Sequence, residues 1–309
     1  MRVFVTGGTG AIGRFLVPAL VAAGHQVTAT TRTPAKTGLL RAAGAEPAVL
    51  DGLDRAAVAA AVRAAAPDVI VHEMTALAGL RSLRRTDRVF AVTNELRSRG
   101  TDYLIEAAQV AGTRRVIAQS YAGWPNERTG GPVKTEDAPL GPPPARSAVR
   151  TLAAIRHVET VVPASVPEGL VLRYGMLYGP GTSQPMLDAV RKRQLPVIGG
   201  GTGIWSFTEV TDAAAATAAA VSSGARGLYN IVDSEPAPAA QWLPQLAQVA
   251  GAKPPLHVPA WAGRLLAGEF VVTYMMQARG CSNEKARREL GWQPRFASWR
   301  EGFRAWANG

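Results

Sequence analysis

Residues Val3 to Gly13 read V-F-V-T-G-G-T-G-A-I-G, an apolar strand running into a glycine-rich turn that opens a helix. The residue types suit anion binding rather than acid–base work. Gly8, Gly10 and Gly13 give G-x-G-x-x-G, while Thr6, Gly7, Gly10 and Gly13 give T-G-x-x-G-x-x-G. In either register the first glycine permits the tight turn, Gly10 lets the backbone approach a diphosphate, and Gly13 lets the helix pack closely. The N–H groups at the helix start, near Ala11 and Ile12, then favour an anion. The strand before the loop and the apolar run Ile12 to Ala23 after it supply the context that a dinucleotide site requires.

The second strand, near His25 to Thr30, ends where the adenosine ribose of such a ligand would lie. An acidic residue there binds the ribose 2′-hydroxyl of NAD, whereas an arginine accommodates the 2′-phosphate of NADP. No acidic residue occurs from Ala11 to Ala45, and Arg32 stands at the strand end with Lys36 behind it. These residues predict NADP(H). Asp51, closing a third strand, either meets the adenine or caps the helix that follows Asp54.

The elements needed to hold this site are legible as strand-like runs at Val3–Thr6, Gln26–Thr30, Ala48–Leu50, Val69–His72, Arg115–Gln119 and Leu170–Leu172. Alanine-rich segments with helical periodicity separate them. The alternation predicts an α/β fold, a doubly wound parallel (Rossmann) sheet with a smaller α/β C-terminal substrate lobe. Residues 1–175, with 206–234 returning, form the dinucleotide domain in this reading, and 176–309 mainly the substrate lobe. The proline- and glycine-rich stretch Gly123 to Pro144 is expected to loop over the carboxyl edge of the sheet and wall the site.

With 309 residues, 47% of them hydrophobic, the chain can bury a large core. The single Cys281 excludes an internal disulfide framework, and the histidines 25, 72, 157 and 257 lack metal-ligand spacing, so no metal is expected. The net charge of +11 is spread along the chain without a nucleic-acid reading motif, so the expected partner is a small-molecule substrate and not nucleic acid. No stretch is apolar enough to span a bilayer and Met1 leads straight into the first strand, which predicts a cytoplasmic protein without membrane association.

Together these motifs resemble the extended short-chain dehydrogenase/reductases of the NAD-dependent epimerase/dehydratase type. T-G-G-T-G-A-I-G is similar to the family's dinucleotide loop, and D-V-I-V-H at Asp68–His72 to its fourth strand, which implies Met74 and Thr75 near the cofactor. The run from Asn94 through Gly100-Thr101 resembles its N-x-x-G-T helix, and R-V-I-A-Q-S at Arg115–Ser120 the strand ending in its catalytic serine. L-R-Y-G-M-L-Y-G-P-G at Leu172–Gly181 resembles the strand and turn near nicotinamide, which implies a cofactor role for Tyr174. F-T-E-V-T-D-A-A at Phe207–Ala214 and the helix from Ser282 extend the match. Homodimers are a habit of this family, so a homodimer is a possible partner state.

The resemblance breaks at the chemistry. The family uses a tyrosine as proton donor or acceptor, with a lysine four residues on that lowers its pKa from about 10 and holds the nicotinamide ribose. No tyrosine here has lysine at that spacing, and counting back from Glu159 the two positions fall on Thr151 and Ile155. Ser120 and Tyr121 are therefore the catalytic candidates, Ser120 stabilising a substrate oxygen and Tyr121 supplying a proton or packing under the loop. Trp124, Tyr178 and Trp205 are candidate substrate walls. Lys134 reads as a loop cation, His157 as packed or solvated, and Arg173 and Arg191 as surface ion pairs or receivers of an acidic substrate.

The activity expected is an atypical NADP(H)-dependent reduction of a secondary-metabolite carbonyl or related unsaturated group. The alternatives are a non-redox isomerase, cyclase or lyase holding NADP as structure, a sugar-nucleotide epimerase or dehydratase, and a non-catalytic NADP-binding sensor.

Overall fold

The computed structural model describes residues 1–77 and 83–308. Seven strands form the central sheet: β1 (Arg2–Thr6), β2 (Gln26–Thr31), β3 (Glu46–Val49), β4 (Val69–His72), β5 (Arg115–Tyr121), β6 (Glu168–Tyr174) and β7 (Gly227–Ile231). Every pairing is parallel, in the order β7-β6-β5-β4-β1-β2-β3. The chain order reverses between β1 and β4, and the carboxyl ends of these strands border the crevice where open α/β sheets hold ligands.

The strands are rich in Val and Ile and covered on both faces, as parallel sheets require. Helix α1 (Gly13–Ala22) buries Leu16, Val17 and Leu20 against one face, beside helix α5 (Val210–Ser222). Helices α2 (Arg55–Ala65) and α3 (Thr101–Ala111) cover the other with Val58, Val62 and Leu104. The third strand starts two residues before its apolar pattern suggested and ends one residue before it, because Glu46 and Pro47 also pair, with Thr28 and Ala29, on the half-exposed edge.

Helix α4 (Val149–Ser165) joins the sheet to a second core. Val158 and Val162 pack with the sheet, whereas Leu152 and Ile155 belong to a cluster with Trp205, Phe207, Trp242, Phe270, Tyr274, Trp299 and Phe303. The segment after β5 folds onto this cluster through Trp124 and Leu140, and Val133–Lys134 pairs with Gly280–Cys281. Asp212, near the start of α5, accepts from the Arg295 and Phe296 amides at 2.7 and 3.2 Å, tying the C-terminal segment to the sheet. Among the described residues no helix is long and apolar enough to cross a membrane, and no cluster of metal-binding side chains occurs.

Candidate active site

The glycine loop joins β1 to α1. Gly7 has φ +76°, and a Cβ there would sit 2.8 Å from the Glu73 carbonyl oxygen, so conformation and proximity both demand glycine. At Gly13 a Cβ would collide with the Gly7 carbonyl, which is how closely the helix start abuts the turn. The Gly8 and Gly10 amides bond to the carbonyls of Thr30 and Gly7, both at 2.9 Å. The amides of Ala11 and Ile12 have no acceptor among the described residues, which leaves donors at the positive end of α1. This cradle fits a diphosphate.

Arg32 is exposed and follows β2 directly, beyond Thr31, whose hydroxyl lies 3.2 Å from that of Thr9 in the loop. Asp51 is exposed and accepts from the Leu53 amide at 3.0 Å, while Asp54 caps α2 through the Ala57 amide. Met74 is buried against Gly52, and Thr75 is exposed just beyond β4. Tyr174, expected near the cofactor, ends β6 with its side chain turned inward. Its buried hydroxyl donates to Glu73 Oε1 at 2.7 Å and lies 2.7 Å from Thr217 Oγ1, so the side chain belongs to the core beneath the sheet's edge. Burial raises the Glu73 carboxyl to about 8.

Ser120 and Tyr121 end β5 and point to different partners. The buried Ser120 Oγ donates to Glu159 Oε1 at 2.7 Å, and Arg173 donates to the two oxygens of the same carboxylate at 2.8 and 2.6 Å. Arg173 is therefore a buried bidentate partner and not a surface ion pair, because β6 places it beside Ser120 in register. The Tyr121 hydroxyl lies 2.8 Å from that of Tyr274, and burial raises its pKa to about 12. At ordinary pH Tyr121 is a neutral phenol, able to donate a hydrogen bond and unable to act as a base.

Tyr274 was invisible to motif reasoning, since its helix (Glu269–Gln277) lies far from β5 in sequence. Its ring stacks on Trp205 at 3.9 Å and 7°, and Trp124 stands 6.4 Å from Tyr121 with its edge on Phe270. Trp124 and Trp205 thus flank the tyrosine pair. Tyr178 does not: it is fully buried among Phe207, Phe303 and Trp306, pressed on Gly302, which makes it a core residue and not a pocket wall.

The positions where the family pair would stand carry other structure. Thr151 donates from both its amide and its hydroxyl to Asp87 Oδ1, at 2.8 Å each, and accepts from Asn94 Nδ2 at 3.1 Å. Ile155 is packed in the second core. Lys134 donates to the Thr129 carbonyl at 2.6 Å, His157 Nε2 meets Asp102 at 2.6 Å on the surface, and Arg191 lies 3.8 Å from Asp188. None of them replaces the missing lysine.

One residue overlooked in the sequence does sit here. Counting back from Gly100-Thr101, the asparagine position of N-x-x-G-T falls on Arg97, with Asn94 one turn earlier. Arg97 lies in a π turn, Leu96–Gly100, and is only 4% exposed. Burial lowers its pKa to about 10, which leaves it charged at neutral pH. The motif spacing marks the position, but the burial that sets this arginine apart from the others is not legible in the sequence.

A model described as the NAD dependent epimerase/dehydratase family matches residues 3–232. The 3-diazoavenalumate denitrifying reductase of a Streptomyces species is 46% identical over 98% of this chain and 99% of that protein. A 4-hydroxy-2-methyl-3-oxo-4-farnesyl-3,4-dihydroquinoline-1-oxide ketoreductase of Stigmatella aurantiaca is 29% identical over 96% of this chain and 92% of its own. Among solved structures, the UDP-glucose 4-epimerase of Thermotoga maritima with UDP-glucose superposes with a TM-score of 0.78 at 21% identity, covering 100% of this chain and 98% of the other. That likeness speaks to the fold.

Proposed function

The chain belongs to the NAD-dependent epimerase/dehydratase family, and from that premise we propose that it is an NADP(H)-dependent reductase of a small aromatic metabolite bearing a diazo group. The observation that carries this reading is the 46% identity, end to end, with a reductase named for removing nitrogen from a diazo compound. The amides of Ala11 and Ile12 would hold the diphosphate and Arg32 the 2′-phosphate, with Asp51 and Thr75 lining the adenosine and diphosphate path. Residues 1–175 with 206–234 hold the dinucleotide in this reading, and 176–309 mainly enclose the substrate.

The missing Tyr/Lys pair supports the same chemistry. Reduction of a carbonyl leaves an alkoxide that needs a proton, which is what a tyrosine acid supplies. Replacing an arenediazonium group by hydrogen has no such need: a C–H bond forms with the incoming electron pair, the C–N bond breaks, and N2 departs with its own. A bound reduced nicotinamide supplies the hydride. The chain's part is to hold a flat arene beside the aromatic cluster that includes Trp124 and to exclude water that would attack the diazonium carbon.

Tyr121→Phe separates the two chemistries. Turnover of an arenediazonium should stay within about threefold of wild type, whereas any ketone reduction should fall by about tenfold or more. A comparable loss on both substrates would return the proton-donor role to Tyr121 and count against a diazo substrate.

A further inference from the structure

Arg97 is buried, charged and short of partners. Its Nη2 donates to Gln119 Oε1 over a long 3.4 Å, its Nε is sealed without a partner, and its Nη1 has no acceptor among the described residues. Glu159, the carboxylate whose charge reaches it, is already engaged by Ser120 and twice by Arg173. Arg173 Nη1 and Gln119 Nε2 are further buried donors without acceptors. Two guanidinium groups thus share the field of one carboxylate, and the surplus donors come from Gln119 of β5, Arg173 of the adjacent β6 and the π turn of Arg97.

A cation kept in the interior only for stability is expected to be paired, because an unpaired buried charge leaves its desolvation uncompensated. Donors left over at the ligand edge of the sheet indicate an acceptor that arrives with the ligand. The π turn that carries Arg97 agrees, since such turns concentrate at functional sites.

We propose that Arg97 is a ligand-binding cation of the active site, taking an electron-rich oxygen of the bound reactants, either a nicotinamide ribose hydroxyl or an anionic oxygen of the substrate. It would fill, from another helix, the role that the family gives to lysine at the position of Ile155. The inference rests on the nicotinamide reductase reading.

The test uses the full-length chain with Arg97→Met and Arg97→Lys, read by thermal melting, by calorimetric binding of NADPH and of 4-hydroxybenzoate, and by turnover of an arenediazonium. Arg97→Met should melt at or above the wild-type temperature yet lose about tenfold or more in binding or in kcat/KM, and Arg97→Lys should recover part of that loss. Weakened NADPH binding assigns the ribose; weakened 4-hydroxybenzoate binding with NADPH unchanged assigns the substrate oxygen. Wild-type binding and turnover in Arg97→Met, a lowered melting temperature or failure to fold, or an Arg97→Lys as impaired as Arg97→Met would each overturn the proposal. Because the binding arms need no turnover, a wild-type protein that binds NADPH without consuming it refutes the reductase reading alone.

Discussion

Burial sets the charge state of Glu73, the carboxyl behind the glycine loop, and with it a pH dependence of the whole molecule. The folded pKa is raised to about 8 from an ordinary 4.5, so within that window the folded state keeps a proton that the unfolded state releases. Stability therefore falls as pH rises through the window, by at most about 1.4 kcal/mol per pH unit, and levels off above it. Glu73→Gln keeps an acceptor for Tyr174 and removes the titration. Its melting temperature should decline less than wild type between about pH 5 and pH 8, and parallel declines would show that Glu73 ionises normally. Arg32→Asp acts on the ligand side, where NADPH binding should weaken by about tenfold or more with NADH little affected. Equal losses would remove the cofactor assignment. Arg32 could be read from sequence because the absence of acids around it is a sequence fact, whereas the value of Arg97 depends on burial.

At the scale of elements, helix α4 carries the departure from the family. Its N-terminal amides at Arg150 and Thr151 are capped by Asp87, which lies on a different segment, at 3.0 and 2.8 Å. Asp87→Ala should cost about 0.5–2 kcal/mol, seen as a lower melting temperature, and an unchanged melt would mean the cap contributes nothing. The spacing from Glu159 placed Thr151 and Ile155 in the vacated positions on this helix, and β4 was legible to the residue because its four positions are uniformly apolar or buried. The partners were not legible. Ser120 reaches Glu159, Tyr121 reaches Tyr274 and Thr151 reaches Asp87, each across a long sequence separation that periodicity does not encode.

Over the whole molecule, two cores meet at the carboxyl edge of the sheet, and the aromatic one carries the rings beside Tyr121. Strand and loop punctuation forecast the parallel sheet, but aromatic residues look alike in sequence whether they line a cleft or fill a core. Tyr178 fills it; Trp124 and Trp205 stand by the tyrosine pair. Trp205→Ala should destabilise the fold by about 3–5 kcal/mol and loosen Tyr274 from Tyr121, which thermal melting and tyrosine fluorescence would register. A near-neutral effect would place Trp205 outside the core.

The diazo chemistry is tested most directly by what leaves the active site together. With an arenediazonium substrate and NADPH, oxidation of the nicotinamide and release of N2 should be measured in the same vessel; they are predicted to rise together in equal amounts. Conversion of the arene while NADPH stays untouched, or NADPH oxidation with no N2, would contradict it.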